Sequence, residues 1–129
     1  VSNAPAVLDA SALLALLQAE PGASRIEPLL DGAFVSAVNW SEVLQKSLAR
    51  AVDVSGMAED LVALGVQIRP FDADDARSAA EIWARAPRAG LAMGDRACLA
   101  LAERSGRTAV TTDRTWDRLK IGVQVLVVR

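Results

Sequence analysis

The sequence predicts a single α/β domain in which a mainly parallel central sheet lies between two layers of helices. Three observations carry this. Short apolar runs of strand length alternate with longer segments of helical periodicity along the whole chain. Those short runs are mostly unbroken in apolar character, as in strands covered on both faces. The 129 residues, 52% hydrophobic and 23% charged with 8 Gly and 5 Pro, suit one globular core and leave no linker, repeat or low-complexity stretch. The expected domain spans residues 5–129, with Val1 to Ala4 standing outside it.

Each element has its own signal. Ala6-Val7-Leu8 is a short apolar strand. Ser11 to Ala19 is rich in Ala and Leu and reads as a helix, broken by Pro21 and Gly22. Ala23 to Leu30 follows as a second short helix, and Phe34-Val35 as a strand after the Asp31-Gly32 turn. Ser36 is placed to cap a helix from Ala37 to about Ala51. A further helix from Ser55 to Leu64 stops at Gly65. Val66 to Arg69 is a strand closed by Pro70. Asp72 caps a long helix from Ala73 to Ala86, which ends at Pro87. A helix opening after Gly94 runs to Gly106. Thr108 to Thr111 is a strand, a short helix follows Asp113, and Val123 to Val128 is the last strand.

Composition removes several function classes. The net charge of −2 gives no global attraction to nucleic acid or to an anionic membrane. With no histidine, Ser-His-Asp catalysis and ordinary zinc sites drop out. Cys98 is the single cysteine, so no internal disulfide forms, and the chain fits a reducing cytoplasm. The opening segment lacks a basic leader and is interrupted by Asp9, unlike a targeting or membrane-spanning segment. P-loop and dinucleotide-binding glycine patterns are absent.

Parallel sheets gather ligands at the carboxyl ends of their strands. Asp9 follows the first strand, Glu42 lies early in the helix after the second, and Asp113 follows the strand ending at Thr111. The helix carrying Asp95 enters that same strand, so its start faces the same end if it runs opposite to the strand. Each acid also has a purely structural reading. Asp9 and Asp113 can cap helices. Glu42 precedes Lys46 by one turn, the favourable order for a surface ion pair, and sits on the solvated flank with Asn39, Gln45 and Ala49. Asp95 is hardest to read this way, because Cys98, Leu99 and Ala102 share its face and look buried. A carboxylate aimed at a core is costly unless paired or bound to metal. Taken together, the four carboxylates would repel one another, and a hard divalent cation removes the conflict. All-oxygen ligation points to Mg²⁺ or Mn²⁺, and such sites commonly serve phosphoryl chemistry.

The segments VLDASALLA (residues 7–15), Ser36 to Val43, GDRACLALA (residues 94–102) and TTDRTW (residues 111–116), with Val66 to Asp72 between them, resemble PIN-domain proteins, and within them VapC-type toxins of toxin–antitoxin pairs. The likeness runs in order from about Ala6 to the C-terminus. It implies a three-layer PIN-like fold and a metal-dependent endoribonuclease that leaves 5′-phosphate and 3′-hydroxyl ends. It implies that Asp9, Glu42, Asp95 and Asp113 are both the metal-holding and the catalytic acids, with Mg²⁺ or Mn²⁺ as cofactor. It further implies a homodimer and a cognate VapB-like antitoxin whose Arg or Lys enters the acidic cleft. Asp117, Thr112 and Ser11 are possible accessory groups, and Arg50, Arg88 and Arg96 are either RNA contacts or scattered surface charge. The competing expectation is a PIN-like protein-interaction module with little or no nuclease activity.

Overall fold

The computed structural model describes residues 5–129, and the placement of Val1 to Ala4 outside the domain falls on residues it does not describe. Its order is β1 (Ala6–Leu8), α1 (Ala10–Leu17), α2 (Ala23–Ile26), a 3₁₀ turn at Glu27–Leu29, β2 (Phe34–Ser36), α3 (Ala37–Ala49), α4 (Met57–Ala63), β3 (Gln67–Arg69), α5 (Ala73–Arg85), α6 (Met93–Ser105), β4 (Thr108–Thr111), a 3₁₀ turn at Arg114–Arg118, and β5 (Val125–Val127). The strands form one sheet in the order β3-β2-β1-β4-β5, and every neighbouring pair is parallel. The expected mainly parallel sheet is therefore wholly parallel among the described residues.

Side-chain alternation along the strands divides the core in two. Ala6, Leu8, Val35, Val110 and Leu126 face a layer built from α1, α2, α3 and α4, where Leu13, Ile26, Val43 and Leu61 are buried. Val7, Phe34, Ala109 and Val125 face the other layer, where Ile82 of α5, Leu99 of α6 and Trp116 are buried. This is the three-layer arrangement, and the apolar strands are covered on both faces as their composition requires.

The differences from the sequence reading lie at element ends and have local causes. The segment from Ala23 to Leu30 is one α-helical turn followed by a 3₁₀ turn, because Pro28 supplies no N–H to continue the helix. The helix expected to reach Ala51 ends at Ala49, and Ala51 takes a positive φ of 59°. α4 starts at Met57, after Gly56 at φ 76°. Gly65 closes that helix as expected. Its φ is 96°, and a Cβ there would lie 2.8 Å from the Asp31 backbone, so the stop needs glycine for two reasons. α6 begins at Met93, which puts Gly94 inside the helix rather than before it.

The sheet order creates a switch point. From central β1 the chain goes one way to β2 and β3, then returns to the other side for β4 and β5. Beyond the paired carboxyl ends of β1 and β4 the chain leaves toward opposite layers, where an open parallel sheet leaves a crevice. Asp9 and Asp113 follow those two strands.

Candidate functional site

Asp9 continues the sheet past the end of β1, its backbone N–H donating to the Val110 carbonyl at 3.0 Å. It also caps α1. Oδ1 accepts from the Ala12 N–H at 2.8 Å and from the Ser11 hydroxyl at 2.6 Å, and Oδ2 accepts from the Thr111 hydroxyl at 2.5 Å. The residue is only 5% exposed. Burial pushes its pKa above the ordinary aspartate value of 3.8, the three hydrogen bonds pull the other way, and the negative charge of Asp95 adds to the rise.

Glu42 lies in the second turn of α3, and its surroundings differ from the sequence reading. Asn39, expected on a solvated flank, is 1% exposed. Its Nδ2 donates to Glu42 Oε1 at 3.0 Å and to the Gly94 carbonyl at 2.9 Å. The Glu42–Lys46 ion pair expected from spacing does not form among the described residues. The carboxylate instead turns toward α6 and packs on Gly94, where a Cβ would lie 2.7 Å from Glu42 Cδ and would have to push the carboxylate aside. This answers what Gly94 does inside a helix, where glycine is otherwise unfavourable.

Asp95 sits in the first turn of α6 and accepts the Ala92 N–H at 2.9 Å. Ala92 has no side-chain oxygen to return the bond, so this is half of a capping box. Cys98, Leu99 and Ala102 on its face are fully buried, as expected. Burial raises the Asp95 pKa, and the charges of Asp113 and Glu42 raise it further against the Ala92 bond and the positive charge of Arg96. Asp113 is exposed and caps the 3₁₀ turn after β4, accepting from the Thr115 N–H at 2.9 Å and the Thr115 hydroxyl at 2.7 Å. Its own N–H donates to Thr111 Oγ1 at 3.1 Å.

The four acids therefore share the carboxyl end of the sheet, close enough that Asp95 feels the charge of Glu42 and Asp113 and Asp9 feels that of Asp95. Beneath them the buried Cys98 thiol is pushed well up in pKa by burial and by the charges of Asp9, Asp95 and Glu42. Its Sγ donates a weak, long bond to the Val7 carbonyl at 3.9 Å. Among the described residues no three acids are gathered tightly enough to enclose an ion unaided.

The accessory residues divide. Ser11 holds Asp9 and also receives the Thr112 N–H at 3.0 Å. Thr112 thus enters through its backbone, and the hydroxyl that reaches Asp9 belongs to Thr111, one position earlier. Asp117 is exposed and makes no hydrogen bond or ion pair among the described residues. Arg50 and Arg88 are exposed, while Arg96 is half-buried with its Nε unpaired.

Sequence reasoning missed Asn39 and Thr111. Thr111 and Thr112 are adjacent and identical, and only the end of β4 at Thr111 separates them. For Asn39 the spacing of three to Glu42 on one helix was the local signal, while its other partner, Gly94, lies 55 positions away.

The chemistry of the donor set fits a hard cation. All four groups offer carboxylate oxygen, and Gly94, lacking a Cβ, leaves room for the Glu42 carboxylate among them. The fit is one of placement and chemistry rather than of a closed cage.

Comparison with known proteins places this geometry in context. A toxin–antitoxin complex from Klebsiella pneumoniae shares the fold at a TM-score of 0.72 and 16% identity, covering 95% of this chain and 96% of that chain. FitAcB from Neisseria gonorrhoeae does so at 0.71 and 23% identity, covering 94% and 96%. VapC20 from Mycobacterium tuberculosis, described as a Sarcin-Ricin loop cleaving toxin, does so at 0.70 and 19% identity, covering 87% and 92%. No curated protein sequence matches the chain. The PIN domain model matches residues 6–122, nearly the whole sheet and every acid of the cluster, and the chain belongs to the PIN domain family.

Proposed function

We propose that this protein is an endoribonuclease of the VapC toxin type, dependent on Mg²⁺ or Mn²⁺ and restrained by a VapB-like antitoxin. The observation that carries the reading is the meeting of Asp9, Glu42, Asp95 and Asp113 from four separate elements at the switch point of a PIN-family sheet. These four residues would hold the ion. When bound, it supplies positive charge to a phosphodiester and acidifies water.

The chain's own groups do the rest. Ser11 and Thr111 fix the rotamer of Asp9, and Asn39 fixes Glu42. The apolar floor of Cys98 and Leu99 keeps water from screening the acids from below. Uncompensated, this negative cluster would repel a phosphate, which is why its charge calls for a cation before RNA can approach.

The proposal extends to partners and place. A groove of about 450 Å³ lined by Leu16, Leu30, Met57 and Leu61, with Glu27 and Asp60, suits an amphipathic basic segment such as an antitoxin would offer. Half-exposed Trp83 on α5 provides apolar surface for a homodimer. A cytoplasmic site of action fits the lone buried cysteine, and no described helix is long and apolar enough to cross a membrane.

The test is cleavage of an RNA pool by the purified chain with Mg²⁺ or Mn²⁺. Chelator should stop it, and Asp95→Asn should reduce it by about a hundredfold or more. Undiminished cleavage by that variant removes Asp95 from the site. A second reading, a PIN-like interaction module, draws on the absence of a closed carboxylate cage among the described residues. It is favoured if the chain neither cleaves RNA nor binds Mn²⁺ in calorimetry.

A further inference from the structure

One face of α3 changes sign along its length. Glu42, Lys46 and Arg50 recur at four-residue intervals, so one turn separates the acid from Lys46 and two turns from Arg50, about 6 and 12 Å of helical rise. The usual fate of such a spacing is an ion pair between Glu42 and Lys46. Here Asn39 draws the Glu42 carboxylate toward Gly94, and Lys46 is left without a partner among the described residues. Arg50 has no ion pair or side-chain hydrogen bond there either.

Both cations line an open cavity of about 460 Å³ whose wall includes Ser11 and Thr112. Ser11 donates to Asp9 and receives the Thr112 N–H, so this cavity borders the hydrogen-bond shell of the acidic cluster. Glu20 is the one acid in its described lining. The arrangement offers two uncommitted positive charges beside a cluster that attracts a cation and repels phosphate.

We propose that Lys46 and Arg50 form a phosphate subsite that holds the RNA strand on one side of the acidic cluster, with Ser11 and Thr112 lining the same cavity. This rests on the ribonuclease reading above and adds to it the path of the substrate backbone. The contact is to phosphate and carries no base specificity.

The experiment measures anisotropy of a fluorescein-labelled single-stranded RNA of mixed sequence, with Ca²⁺ in place of Mg²⁺ or Mn²⁺ to offset the acidic cluster, across a monovalent-salt series. Each cation lost from a phosphate lowers the slope of log affinity against log salt by about 0.7 for a single strand. Lys46→Ala and Arg50→Ala are each expected to show that decrease, the double variant about twice as much, and Lys46→Arg little change. Arg77→Ala removes an equal charge from exposed α5 and is expected to leave the slope unchanged. The same oligonucleotide as DNA is expected to give the same decreases.

Unchanged slopes in the Lys46 and Arg50 variants overturn the subsite. So does an equal decrease in Arg77→Ala, a decrease confined to RNA, or absence of saturable binding by the wild type at any salt. Failure of the wild type to cleave RNA with Mg²⁺ or Mn²⁺ overturns the ribonuclease reading on separate grounds.

Discussion

Replacing Asn39 with alanine tests whether its amide serves the site or only the fold. The substitution removes a hydrogen bond to a carboxylate, worth about 1.5–3 kcal/mol, and one to the neutral Gly94 carbonyl, worth about 0.5–1.5 kcal/mol. It also removes a buried Oδ1 that has no partner among the described residues, a relief of about 1–3 kcal/mol. The net loss is about 1 kcal/mol, which for a chain of this size lowers the melting temperature by about 5 °C. If that were all, metal binding would not change. If Asn39 orients Glu42, affinity for Mn²⁺ should fall by about 10- to 100-fold, as when the hydrogen-bond partner of a metal ligand is lost. Calorimetric titration with Mn²⁺, beside thermal melts in chelator, separates the two. The decisive comparison is in a Glu42→Gln background, where Asn39→Ala should have no further effect on Mn²⁺ affinity. A lowered melting temperature with unaltered Mn²⁺ affinity would refute the positioning role.

Gly94→Ala approaches the same carboxylate from the other side. The added methyl displaces Glu42, while the helix gains about 0.5–1 kcal/mol of backbone preference, so Mn²⁺ affinity should fall by about tenfold without a matching loss in the thermal melt in chelator. The pH dependence of stability follows from Asp9 and Asp95, both held above 3.8 in the folded chain. The native state then binds protons that the unfolded state has released, so in chelator stability is greatest below the raised values and falls as pH rises through them. Asp53 and Asp72 are held below 3.8 and lose their contribution only at lower pH, outside this window. Melts between about pH 4 and 7 check the sign, and added Mn²⁺ should raise the melting temperature most at the neutral end.

Much of the fold was legible because its signals are local. Ser36 and Asp72 announce their helices, Gly65 ends one, and apolar runs at Ala6, Phe34 and Thr108 mark strands whose parallel pairing follows from the helices between them. The candidate acids stand out for a related reason: Asp9, Asp95 and Asp113 lie at element ends and Glu42 one turn further in, and the topology brings those ends to one edge. What the sequence concealed was their company. The alternative for Glu42, a pair with Lys46, is favoured by spacing alone, and only the approach of α6 to α3 shows why it yields. The choice between Thr111 and Thr112 turned on strand register, which adjacent identical residues hide.

Asp9 and Asp113 each start a helix while standing in the acidic cluster. Asparagine is about as good at starting a helix as aspartate, so at Asp113, whose cap bonds both go to Oδ1, a change from acid to amide would remove the charge and spare the turn, whereas at Asp9 the amide nitrogen could not accept the Thr111 hydroxyl that Oδ2 now receives. Under the proposed function, Asp113→Asn is then a chain that folds as before and has lost its cleavage of RNA.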